Sequence, residues 1–111
     1  MNGYNEGSDA RMKANVAKLD NVLDKLDAIR GVSFERIPLG APTARAEQRR
    51  DIGVIAQEVE TVFPELVSVH GHENNKAVNY SGLTGVLIES VKELKAQNEE
   101  LRSRFEALDR A

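Results

Sequence analysis

From Ser81 to the last residue the sequence has no proline, and Leu87, Val91, Leu94, Asn98, Leu101, Phe105 and Leu108 recur at alternating spacings of four and three. These are the a and d positions of three heptads. With Ser81 as N-cap, the predicted helix is on the order of 40 Å long at about 1.5 Å per residue. One small core cannot cover such a rod, so it must pair along much of its length. Asn98 falls at an a position, where a buried polar side chain fixes register and strand number at some cost in stability. The apolar residues alone leave two and three strands open.

A chain of 111 residues is one domain's worth, and an extended one buries less apolar surface per residue than a globule, so partners are expected to hide its apolar face. Hydrophobic residues make up 41% and aromatics only 5%, without tryptophan, a balance that leans towards helix and coiled coil. The net charge of -3 is spread over interspersed acids and bases; nucleic acid is therefore not an expected partner. The absence of cysteine excludes disulfides and thiolate metal sites, and no cofactor is expected. With no signal peptide and no run of eighteen apolar residues, no membrane partner is expected either. Residues 1–7, ending Asn5-Glu6-Gly7, read as a polar, turn-prone leader cut from a longer parent.

Val16, Leu19, Leu23, Leu26 and Ile29 follow helical spacing, which predicts an amphipathic helix from an Asn15 cap to a Gly31 stop. Residues 32–37 alternate as a short strand, and 38–50, with Pro38, Pro42 and a cluster containing Arg45, Arg49 and Arg50, read as an exposed loop. A short helix is expected over 54–62, ended by Pro64. Residues 66–70 and 76–80 flank Gly71-His72-Glu73-Asn74-Asn75 as a β-hairpin. His70 and His72 lie on one side of that strand, but without a third ligand they read as hairpin tip and not as a metal site. Phe63 and Tyr80 read as core.

The chemistry concentrates in Gly7-Ser8-Asp9-Ala10-Arg11-Met12-Lys13. Gly7 leaves its carbonyl open to attack and permits turns closed to other residues. A serine hydroxyl is a poor nucleophile until a base takes its proton, and a lysine does so only when burial lowers its pKa towards neutrality. Ser-Lys pairs are a known form of this arrangement. Residues i and i+5 of a helix stand about 140° apart, so Lys13 reaches Ser8 only through a turn before the helix or from a neighbouring chain. The alternative is that Ser8 or Asp9 merely caps a helix.

The order Ser8-Asp9-x-Arg11-x-Lys13, then Gly53-Val54-Ile55-Ala56-Gln57-Glu58-Val59, Phe63-Pro64-Glu65 and Asn79-Tyr80 before a long helix resembles the C-terminal intramolecular chaperone domain of phage endosialidases, tail spikes and tail fibres. The self-cleaving domain of the myelin regulatory factor family is related. Met12 stands where that pattern has leucine, an exchange of similar volume. The resemblance implies an α+β head over residues 8–80 and a trimerising coiled coil over 81–111, assembled as a homotrimer. It implies Ser8 as nucleophile, Lys13 as base and Gly7-Ser8 as the bond cut, with Asp9, Arg11, Gln57 and Glu58 as supporting motif residues. Arg11 then orients a carboxylate or holds the junction, unless it is merely solvated, and Gln57 or Glu58 positions the dyad or a neighbouring subunit, unless both belong to an ordinary polar helix face. The expected partners are two further copies and an upstream passenger domain of the same polypeptide. The expected setting is the host cytoplasm during virion assembly, with release after cleavage. Two other readings carry the same residues: a coiled-coil module that never cleaves, and a self-cleaving domain of a membrane-tethered transcription factor.

Overall fold

The computed structural model describes residues 5–37 and 49–110. Strand β1 (Val32–Glu35) pairs antiparallel with β2 (Arg50–Gly53), with Phe34 opposite Asp51. Helix α1 (Ala56–Val62) follows, then a hairpin of β3 (Val67–His70) and β4 (Asn75–Val78), and last the long helix α2 (Tyr80–Arg110). The α+β class expected from the sequence holds. Alternation accounts for β1 and β4, one strand of each short sheet, and Gly71 and Asn74, both at positive φ, turn the hairpin.

Val22, Val59, Phe63 and Val86 form the buried centre, with Leu26, Ile29, Val54 and Val62 packed around it. Three pieces of chain therefore meet there: the segment before β1, helix α1 and the first turns of α2. Leu83 joins them from α2. A compact domain of this length has a radius of gyration of about 13 Å, against 19.4 Å and a long dimension of 65 Å here. The difference is α2, which leaves the core after its fourth turn. From Leu94 to Arg110 every residue is exposed.

Several expectations are corrected. Residues 15–31 do not form a helix; only the 3-10 turn Asp24–Ala28 remains of it. Asn15 and Asn21 take positive φ, and the Asp20 carboxylate accepts from the Asn21 N–H, so short polar side chains compete for the backbone and win over the apolar spacing. Arg50, assigned to the loop, begins β2, and its guanidinium donates to the Ser33 hydroxyl and carbonyl. Residues 38–48 of that loop, with Arg45, lie outside the described residues. Asn79, not Ser81, caps α2: its side-chain oxygen accepts from the Gly82 N–H at 3.0 Å. Phe63 is buried, but Tyr80 is 54% exposed; its hydroxyl accepts from the Val54 N–H at 3.3 Å and lies over Gly53, where a Cβ would come within 2.7 Å of it.

Candidate active site

Residues 6–23 lie as a strap along the first half of α2, running in the same direction as the helix. Its start is held by Ser81, whose hydroxyl donates to the Glu6 carboxylate. Midway, Lys18 pairs with Glu89 at 3.5 Å. Near its end the Glu93 carboxylate accepts from the Val22 and Leu23 N–H groups at 3.1 and 3.0 Å. Those two bonds, the Leu23 one foremost, hold the Glu93 carboxyl below its ordinary range. An acidic side chain of α2 thus satisfies amides at the start of the Asp24–Ala28 turn, as a cap would.

Within the strap, Ala10–Met12 form a single 3-10 turn. Asp9 caps it by accepting from the Arg11 N–H at 2.9 Å, and the Arg11 guanidinium returns to the same carboxylate at 2.8 and 3.1 Å. That forked pair, then the backbone bond, pull the Asp9 carboxyl below its usual value. The turn closes with the Lys13 N–H donating to the Ala10 carbonyl. Its geometric result is that Lys13 Nζ donates to Ser8 Oγ at 2.7 Å. Only Ala10–Met12 are helical, and Asp9 and Lys13 at either end are extended, so the separation that a continuous helix gives residues i and i+5 does not apply.

Ser8, Lys13, Gly7 and Glu6 line one open pocket with Ser81, Gly82 and Thr84 of α2. Gly7 is not in the left-handed region, and a Cβ placed on it meets nothing within 4 Å; its role is therefore not the special turn expected from sequence. Gly82 is the tight one, because a Cβ there would overlap Leu66 Cδ2. Ser8 and Lys13 are both exposed in the single chain.

Gln57 and Glu58 lie elsewhere. Neither lines the Ser8 pocket. Glu58 accepts from the Arg30 N–H at 3.0 Å and from its guanidinium at 2.7 Å, and the side-chain contact foremost lowers the Glu58 carboxyl. It ties the segment before β1 to α1. Gln57 faces a groove shared with Phe34, Arg36, Asn75 and Lys76. Ser68 and His70 share a 2.7 Å hydrogen bond on β3, and among the described residues no three His, Asp or Glu gather as a metal would require. Sequence reasoning missed Glu6 and Glu93 and gave Ser81 a different task. Only Asn79 left a readable signal, as a favoured N-cap type one residue before the helix.

The heptad residues form an apolar stripe on the outside of the single chain: Leu87, Val91, Leu94, Leu101, Phe105 and Leu108 are each at least half exposed. Ile88, also exposed, widens it at the head end. Met12 and Val16 of the strap add exposed apolar surface beside the same helix.

A peptidase family described as chaperone of endosialidase matches residues 8–68. The chain is 32% identical over 102 residues to the long tail fiber protein Gp37 of Enterobacteria phage K3, covering 88% of this chain and 8% of that protein. Against Gp37 of Salmonella phage S16 the identity is 32% over 107 residues, covering 88% and 14%. Against that of Enterobacteria phage Ox2 it is 30% over 106 residues, covering 88% and 39%. The chain thus spans less than half the length of each of these relatives.

Proposed function

Since the chain belongs to the family of endosialidase chaperones, we propose that it aligns copies of an upstream phage tail-fibre polypeptide as a homotrimer and then releases itself by cutting the Gly7-Ser8 bond. The observation that carries the cleavage reading is the 2.7 Å contact between Lys13 Nζ and Ser8 Oγ, one peptide bond from the Gly7 carbonyl.

The chemistry balances with these two side chains and one water. A neutral Lys13 amine takes the Ser8 hydroxyl proton as Oγ attacks the Gly7 carbonyl carbon, forming a tetrahedral intermediate. Collapse breaks the bond to the Ser8 nitrogen, and Lys13 returns the proton to that amine. The product is an ester of Gly7 on Ser8 Oγ. Water hydrolyses the ester, leaving a Gly7 carboxylate and a free Ser8 with its hydroxyl restored. The polarity of the resting bond must reverse first, because an ammonium donates three hydrogen bonds and accepts none.

Assembly supplies that reversal. Ser8 and Lys13 are exposed in the single chain, in a pocket with Ser81, Gly82 and Thr84 at the head end of α2, so a neighbouring copy that covers this end of the helix takes water from the pair, and desolvation disfavours the charged lysine. Cleavage then follows correct assembly. Removing the aligning device makes unfolding of a slow-folding, β-rich fibre hard to reverse, a kinetic form of stability.

The test is intact mass on the full chain expressed behind a heterologous trimeric stalk, comparing wild type with Ser8→Ala and Lys13→Ala. The expected result is a fragment with the mass of residues 8–111 in the wild type alone. One uncut species in all three, with a trimer verified, refutes self-cleavage and leaves a retained coiled-coil module.

A further inference from the structure

Nucleophile and base are both held by the turn at residues 8–13, but the carbon that must be attacked belongs to Gly7, outside that turn. Glycine has the widest range of backbone conformations of any residue, and among the described residues nothing stands within 4 Å of where a Cβ on Gly7 would be. Nothing in Gly7 itself aims its carbonyl at Ser8 Oγ. Across the pocket, Ser81 of α2 donates its hydroxyl to the carboxylate of Glu6, 75 residues away in sequence. Glu6, Gly7, Ser8 and Lys13 share that pocket with Ser81, Gly82 and Thr84.

We infer that Glu6 is a positioning residue for the cut: by docking on Ser81 it fixes the residue before Gly7 to the long helix, so that the Gly7 carbonyl stays within reach of Ser8 Oγ. The inference rests on the cleavage reading above and adds to it a side chain on the departing fragment. The turn holds the acceptor side of the bond through Asp9 and Arg11, and α2 holds the donor side through Ser81. The contact also spans the cut, since Glu6 leaves with the passenger while Ser81 stays with the chaperone. Ser81 is free for this task because Asn79 caps the helix.

The test uses the full chain behind the same trimeric stalk and reads the rate at which the 8–111 fragment appears. Glu6→Ala and Ser81→Ala are each expected to cut roughly ten- to a hundredfold more slowly, the range that misplacement of a reacting group produces. The double variant is expected to be no slower than the slower single, because both remove one contact. Ser81→Thr, which keeps the hydroxyl, restores the rate. A role in stability alone would not give that rescue together with an unchanged thermal midpoint and an unchanged trimer. Single variants that cut at the wild-type rate, or a double whose losses multiply, overturn the positioning role while leaving self-cleavage standing. A wild type that stays whole overturns both.

Discussion

Asp9 and Arg11 grip each other inside the turn that Ser8 and Lys13 straddle, the guanidinium reaching one carboxylate oxygen at 2.8 Å while the Arg11 N–H reaches the other at 2.9 Å. One carboxylate thus serves as helix cap and ion-pair partner at once. Both side chains are largely in water, where an isolated pair contributes little stability; its effect is on shape. Asp9→Ala is expected to leave the thermal midpoint nearly unchanged and to slow release of the 8–111 fragment by about tenfold, since small misplacements at a reacting centre are costly. Asp9→Asn, which keeps the cap oxygen, should lie between the two. Mass spectrometry against time checks both.

The strap should loosen in acid. The Glu93 carboxyl sits below its ordinary value of 4.5, chiefly through the Leu23 and Val22 N–H bonds and with help from nearby Lys18. A carboxylate with a lowered folded pKa adds stability that is complete above the unfolded value and disappears as pH falls through the folded one. Hydrogen exchange at the Val22 and Leu23 amides should therefore be slow and constant near neutrality once corrected for intrinsic rates, then rise below about pH 4. Asp9, Asp51 and Glu58 are also lowered, foremost by their arginine side chains, so they too lose their contribution in acid. Glu93→Gln separates them: it retains an acceptor and should flatten the response at Val22 and Leu23 alone.

Ser90 carries a different cost. It is 2% exposed, and among the described residues its hydroxyl has no hydrogen-bond partner. Ser90→Ala removes the orphaned group and places the best helix former in mid-helix, so unfolding free energy should rise by roughly 1 kcal/mol. Ser90→Leu should overfill the same site and lower it by about 1–3 kcal/mol. Chemical denaturation of both variants gives the two signs.

Association should fail without the stripe. Leu94 and Leu101 are 55% and 63% exposed in the single chain, and burying what remains of each against a neighbour would contribute about 1–2 kcal/mol. Leu94→Asp with Leu101→Asp is expected to shift sedimentation to the monomer and to reduce helical signal from residues 94–110. Protection at Val59, in the core of the head, should remain. A wild type that sediments as a monomer at all concentrations would defeat the trimer reading.

The sequence was legible where the chain's own local rules decide. The long helix, the hairpin and α1 follow from periodicity and turn residues, and each appears within two residues of its expected bounds. The Ser8-Lys13 contact was legible as a requirement for a turn, and a 3-10 turn capped by Asp9 meets it. What failed was the helix over 15–31. Val16, Leu19, Leu23, Leu26 and Ile29 have the right spacing, but Asn15 and Asn21 sit in left-handed backbone and Glu93 draws off the amides at 22 and 23. No window of local sequence contains Glu93. The same holds for Glu6, whose partner Ser81 is 75 residues on. Strand β2 was missed because Arg50 and Asp51 are charged and exposed, and only pairing with Glu35 and Phe34 makes them a strand.

The division of α2 into a covered half and a bare half places two reactions of different order in one polypeptide. The head, with the strap and the first four turns, can close by itself at a rate independent of how many copies are present. The remaining turns, 94–110, are exposed and have no partner among the described residues, and a helix of that length is only marginal alone in water. In the proposed trimer their ordering therefore varies with the concentration of copies. On the proposed reading, tethering several chains to one growing fibre would raise that concentration locally without raising it in the cell, so the tail of the helix would respond to stoichiometry at the assembly site.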